Sequence, residues 1–225
     1  MTTQAPARPS PGVDFTPGFA AAYTTVPIPA WKRGVDVTAA SLGLIFLAPL
    51  FAVIALVVML DSPGAPFYRQ VRVGHGGRAF TFWKFRSMRP GADAMLDQLH
   101  DRNEANGNIF KMRDDPRVTR VGRWLRKTSL DELPQLWNVL RGDMSLVGPR
   151  PPVVAEVLRY EPHQLQRLAA VPGITGLWQV TARDRHDFDD MVRLDIEYAE
   201  RMSFWLDVRI LFKTIPVVLQ GKGAC

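Results

Sequence analysis

Between Val37 and Leu60 the chain reads VTAASLGLIFLAPLFAVIALVVML, without one charged residue. As a helix rising about 1.5 Å per residue, roughly 24 residues reach about 36 Å, enough to cross the hydrocarbon core of a bilayer. A helix buried in a water-soluble core is normally shorter or striped with polar positions, so this segment predicts membrane insertion. Pro49 lies in its middle, where it removes a backbone hydrogen bond and bends the helix. Positive charge flanks both ends, Lys32 and Arg33 before it and Arg69 and Arg72 after it. A straight span should show charge asymmetry between its ends. The two-sided pattern favours a helix that enters the membrane, bends near Pro49 and returns to the same face.

With 225 residues the chain has room for one medium domain beside that segment. Residues 1–30 are rich in Pro, Ala and Thr, show no apolar period, and read as a mobile tail. Residues 31–62 hold the membrane helix, and 63–225 form the remaining domain. Two runs rich in aromatic and β-branched residues, Phe67 to Val73 and Ala79 to Phe85, surround Gly74-His75-Gly76-Gly77 and predict a β-hairpin. Helices are expected at about 92–104, 131–141, 152–169 and 187–219, with a break at Asn106-Gly107-Asn108. The expected fold class is therefore α+β, dominated by helices.

Lys plus Arg number 28 against 22 Asp plus Glu, and this formal +6 favours anionic partners such as lipid headgroups, nucleotides and sugar phosphates. Cys225 is the single cysteine and the four histidines form no HExxH or HxH pair, which argues against a disulfide framework and against a zinc enzyme. The densest charge is in KMRDDPRVTRVGRWLRKTSLDELPQ, where Arg117, Arg120, Arg123 and Arg126 recur every third residue and run up against Asp131 and Glu132. GRWLRKTS is not a P-loop, because Arg126 stands where the second glycine belongs. Ser129 and Glu132 fit a capping box, whereas a helix starting at Asp131 better accommodates Pro134. Either start places both carboxylates at the positive end of a helix, ionised and able to draw a phosphate or its Mg²⁺ near. Two adjacent acids there can serve as nucleophile or metal ligand and as its partner. Further on, the prolines of GPRPP fix the backbone around Arg150, a way to aim one guanidinium. A single-span membrane protein whose basic domain binds lipid or nucleic acid without catalysis is the rival reading. It leaves the paired acids without a task, and no nucleic-acid motif is evident.

Taken in order, Lys32-Arg33 with Asp36, the Pro49 segment, PFYRQVRVG, FTFWKFRSM, RKTSLDELPQLWNVLRGDMSLVGPRP, PGITGLWQV and SFWLDVRILFKTI resemble the bacterial sugar transferases. These are monotopic polyprenyl-phosphate phosphoglycosyl transferases, and the resemblance runs from about Trp31 to Cys225. It implies a catalytic domain on the cytoplasmic face of the inner membrane, with a re-entrant helix broken at Pro49 and interfacial amphipathic helices, Phe204, Trp205 and Phe212 lying in one of them. It implies Mg²⁺, a UDP-sugar, undecaprenyl phosphate and membrane lipids as partners, not nucleic acid, and allows a homodimer. Asp131 matches the acid that attacks the β-phosphate and releases UMP; Glu132 matches its dyad partner, both near the metal. Lys84, Arg126, Arg150 and the adjoining Pro151 match the substrate-binding positions. The wording at the C-terminus looks most like members that transfer galactose or glucose 1-phosphate. This chain departs from the pattern at Ala48, where the family often has Ser, and at Ala182-Arg183, where many relatives have Gly-Arg. It also reads as the catalytic unit without the additional N-terminal helices of larger relatives.

Overall fold

A computed structural model describes residues 23–95, 97–104, 112, 114–182 and 187–220. Its first element, α1 (Ala30–Asp61), is a 32-residue helix that continues through Pro49. Proline at that position leaves the carbonyl of Ile45 without its helical donor. Lys32, Asp36 and Ala40 are buried at four-residue spacing, and Ile54 and Val58 repeat the pattern near the other end. Between them Leu44, Leu47, Leu50 and Phe51 pack partly against the protein. Leu42, Ile45, Phe46, Val53, Leu56 and Leu60 face outward. The helix is thus apolar on all sides, with one flank on the protein and the other bare.

Both ends of α1 are tied to the same body. Near its start, the Lys32 ammonium donates to Val147 O at 2.8 Å and to Tyr198 Oη at 3.1 Å, and pairs with Asp207. One turn on, Asp36 accepts from the Ser145 hydroxyl and from Leu146 N–H, at 3.0 and 2.9 Å. Arg33 donates to Val139 O and Leu140 O, both at 2.6 Å. At the far end Arg86 donates to Ser62 O at 2.6 Å, and Asp61 accepts from Val121 N–H at 3.2 Å.

The hairpin forms with the expected limits. Strand β1 (Phe67–Val73) runs antiparallel to β2 (Ala79–Phe85), with Tyr68 opposite Lys84 and Val73 opposite Ala79. Gly76 and Gly77, at φ 66° and 83°, supply the left-handed turn that other residues resist. Helix α2 (Arg120–Lys127) follows, capped by the Thr119 hydroxyl, and then α3 (Gln135–Arg141). Phe80 and Phe82 pack against Leu136, Val139 and Met144. Asn138, fully buried, locks α3 to the hairpin: its amide accepts from Trp83 N–H at 3.1 Å and donates to Thr81 O at 2.7 Å.

Several expected helices are shorter or broken. Residues 92–104 form 3₁₀ turns at Ala92–Met95 and Asp97–Arg102, while the break expected at 106–108 lies outside the described residues. The 131–141 helix splits into a 3₁₀ turn (Leu130–Glu132) and α3, because Pro134 cannot donate within one continuous ladder. The capping box does not form: Ser129 has φ 55° and its side chain caps nothing. In place of a 152–169 helix there is one turn, α4 (Val154–Val157), and a 3₁₀ turn at Gln164–Ala169, separated around Pro162. Two strands of three residues, β3 (Ser145–Val147) and β4 (Gly173–Thr175), pair in parallel, too short to announce themselves by alternation. After α5 (Leu177–Thr181), the long C-terminal helix is two: α6 (Phe188–Arg201) and α7 (Phe204–Leu219), the latter restarted by the Ser203 cap. Of the residues 1–30 expected to form a mobile tail, 1–22 lie outside the described residues. From Tyr23 the chain is docked, with Val26 N–H donating to Ala169 O at 2.8 Å and Tyr23 packed near Val157 and Leu168.

Replacing Asn138 with Ala would strand the Trp83 N–H and Thr81 carbonyl. It should lower the unfolding free energy by roughly 3 kcal/mol. Urea unfolding in detergent micelles measures this; a loss within error of zero would mean that water replaces the amide.

Candidate active site

The site is assembled from the hairpin, the end of α2 and the turn after it. Along β1 the alternation of a strand puts Tyr68, Gln70 and Arg72 on one face, and pairing brings Lys84 of β2 opposite Tyr68. The Lys84 ammonium lies 5.3 Å from the centre of the Tyr68 ring, and the Arg72 guanidinium 4.4 Å from that of Phe82. Helix α2 comes close enough that a Cβ at Gly122 would collide with the Ser87 carbonyl. That contact points Arg126 at the hairpin, where its Nε donates to the Ser87 hydroxyl at 2.9 Å.

The chain then turns sharply through Ser129. A left-handed conformation costs a serine about 1 kcal/mol, and here it directs the next turn back toward Lys84. Asp131 is buried and Glu132 half-buried in that turn.

Electrostatics shows how closely these groups are grouped. The Lys84 ammonium is lowered to about 8, by burial first and then by Arg126 and Arg72, against support from Asp131 and Glu132. Arg72 is lowered to about 10, by burial first and then by Arg150, against support from Glu156 and Glu132. A row of cations thus borders a carboxylate pair, with Glu156 behind it. Such an arrangement accommodates a multiply charged anion and keeps a carboxylate ionised beside it.

Of the residues singled out in the sequence, Lys84, Arg126, Asp131 and Glu132 are brought together, and Arg150 adjoins them through Arg72. Pro151 is buried behind that arginine and contributes its carbonyl, which accepts from Arg72 Nη1 at 2.6 Å. Pro49 is away in α1. The arginine series does not act as one face: Arg117 is buried against Asp115 at 2.6 Å, Arg120 and Arg123 are exposed, and Arg126 enters the site. Arg72 and Tyr68 were legible only as part of an apolar-flanking basic stretch; their shared strand parity with Lys84 is the signal that locates them.

Among the described residues no three His, Cys, Asp or Glu side chains are grouped to hold a metal ion. Asp131 and Glu132 alone fit Mg²⁺ in the way it is usually held, by one or two carboxylates together with substrate phosphates.

A bare apolar helix tied at both ends to a body with a cation-lined acidic pair suits a protein that rests on a membrane, and the pair's setting suits an anionic ligand. Residues 28–221 match the family model for bacterial sugar transferases, and the chain belongs to that family. It is 48% identical over 195 residues to the galactosyl transferase CpsE of Streptococcus agalactiae serotype III, covering 86% of this chain and 43% of CpsE. To the undecaprenyl-phosphate galactose phosphotransferase of Salmonella typhimurium it is 45% identical over 201 residues, 86% of this chain and 41% of the relative. With the exopolysaccharide production protein ExoY of Rhizobium meliloti it shares 42% over 197 residues, 86% of this chain and 87% of ExoY. The chain therefore spans less than half of the first two and most of the third.

Lys84 should titrate near pH 8 by its side-chain ¹³C shift, apart from surface lysines. Asp131→Asn removes a supporting negative charge and should move the midpoint lower; Arg126→Gln should move it up. Titration of Lys84 with the bulk lysines, above pH ~10, would contradict the site's crowding.

Proposed function

We propose that the protein transfers a sugar 1-phosphate from a UDP-sugar to undecaprenyl phosphate, releasing UMP, as the first membrane step of exopolysaccharide or glycan assembly. The observation that carries this reading is the buried Asp131 carboxylate among Lys84, Arg126 and Arg72. Relatives named as undecaprenyl-phosphate galactose and glucose phosphotransferases support the acceptor class, and one named as a UDP-galactose-lipid carrier transferase supports the donor class.

In the reaction, a carboxylate oxygen of Asp131 attacks the β-phosphorus of the UDP-sugar. The bond from that phosphorus to the bridging oxygen breaks, and the oxygen leaves on UMP with the electron pair. A sugar phosphate remains on Asp131 as an acyl phosphate. An oxygen of undecaprenyl phosphate then attacks the same phosphorus, freeing the Asp131 carboxylate and forming the lipid diphosphate sugar. Lys84, Arg126 and Arg72 oppose the charge that gathers on the phosphoryl oxygens, and Arg150 extends the clamp. Glu132 keeps the second carboxylate of the dyad at the phosphate. Mg²⁺ held by Asp131 and Glu132 would neutralise diphosphate charge when bound.

Membrane geometry follows the same reading. In it the helix enters and leaves on a single face, the cytoplasmic one, with its bare flank in lipid and Pro49 as the point about which it bends on insertion; the ties from both ends of α1 to one body support this. Trp205, Phe212, Ile215 and Leu219 of α7, all exposed, lie in the interface beside it.

Asp131→Asn should abolish UMP release and remove the sugar-phosphate adduct seen by intact mass on the wild-type protein, while membrane association persists. An active variant, with deamidation excluded, would sink the nucleophile. Topology is tested with Thr24→Cys and Ala65→Cys in a Cys225→Ser background. Both should resist an impermeant thiol reagent in intact cells, and labelling of one site alone would mean a true span.

A further inference from the structure

The loop that carries Arg150 is tied along its backbone, to β4, to the end of β1, to Arg167 and to Glu156. Gly148 N–H donates to Thr175 O at 2.8 Å, and Pro149 O accepts from Gly173 N–H at 2.9 Å. Arg150 O accepts from Arg167 Nη2 at 3.2 Å and Pro151 O from Arg72 Nη1 at 2.6 Å. Pro152 O accepts from Val73 N–H at 3.0 Å, and Val153 N–H donates to Glu156 Oε2 at 3.3 Å. The prolines fix φ on either side of Arg150. Only the Arg167 tie falls on Arg150 itself.

Arg167 is built into place. It is 1% exposed, with Nε and Nη2 on Asp195 Oδ2 and Nη1 on Tyr160 Oη at 2.7 Å. Asp195, on α6, is equally buried. A buried ion pair of this kind adds little net stability over an apolar pair of the same volume. It does fix a guanidinium at one point, with a donor directed at the Arg150 carbonyl. The Arg150 side chain needs that help, because its own nearest charged partner, Glu156, is 3.9 Å away, beyond a good hydrogen bond.

We propose that Arg167, held by Asp195 and Tyr160, is a positioning residue for Arg150, pinning its carbonyl so that its guanidinium stays beside Arg72 and Glu156 at the edge of the acidic pair. The consequence for turnover rests on the phosphosugar-transfer reading; the clamp itself does not.

Arg167→Met should lower kcat/KM for the UDP-sugar roughly tenfold or more through misplacement of Arg150. Added to Arg150→Ala it should bring no further loss, because both changes act through one guanidinium. Arg167→Met/Asp195→Leu removes the stranded carboxylate, so its thermal midpoint should return toward wild type while kcat/KM stays low. Additive losses, or activity that recovers together with the thermal midpoint, would overturn the proposal and leave Arg167 a packing residue. If the wild-type protein releases no UMP from UDP-sugars, the functional reading fails, and amide exchange decides the clamp. Exchange at Val73 and Gly173, whose N–H groups end on the flanking loop carbonyls, should quicken in Arg167→Met/Asp195→Leu; unchanged exchange refutes the clamp.

Discussion

An ammonium group buried at the foot of a helix whose next 24 residues after Asp36 carry no charge holds this structure together. Lys32 is 1% exposed, and an unpaired charge there would cost several kcal/mol. Its partners come from β3, α6 and α7, so the start of the helix is held by three elements at once. Tyr198 stays protonated in this setting, since burial and the Asp207 carboxylate both push its hydroxyl up, and it therefore donates to Asp207 at 2.8 Å. With Asp36 binding the start of the same strand, the apolar helix α1 and the loop leading to Arg150 share one anchor.

The site is built on the opposite principle, crowding of like charges. Lys84 and Arg72 are lowered by burial first, and then by repulsion from neighbouring cations, Arg126 and Arg72 at Lys84 and Arg150 at Arg72. Asp131, Glu132 and Glu156 offset part of that repulsion. A di-anionic ligand would offset more, which is why such a cluster binds phosphates and favours transition states that gather negative charge. The Arg117–Asp115 pair shows the contrast: there the carboxylate chelates its arginine completely, burial raising and the guanidinium more than reversing the carboxyl's affinity for protons.

Legibility in the sequence followed how local each cause was. The hairpin was read to the residue because Phe67–Val73 and Ala79–Phe85 carry their own alternation and their own glycines. The acids and Arg126 were read as neighbours because they lie a few residues apart. The pairing of Arg167 with Asp195 could not be read, since 28 positions separate them and a helical pattern does not say which turns of two segments meet. Ser129 misled for a related reason: its spacing to Glu132 fits a capping box, but packing of α2 against Ser87 drives the chain through a left-handed turn first.

The sequence by itself determined that the chain carries a membrane-seeking helix, a hairpin and an acidic pair in a basic setting, because apolar run length, strand alternation and glycine chemistry are properties of neighbours. Tertiary structure decided which of the many cations reach that pair. Arg72 does so through strand pairing, Arg117 is diverted to Asp115, and Arg120 and Arg123 are left in solvent. It also decided that both ends of α1 belong to one body. Charge on a flank says where a helix end prefers to be; partners drawn from distant parts of the chain, buried for Lys32 and Asp36 and exposed for Asp61, hold it there.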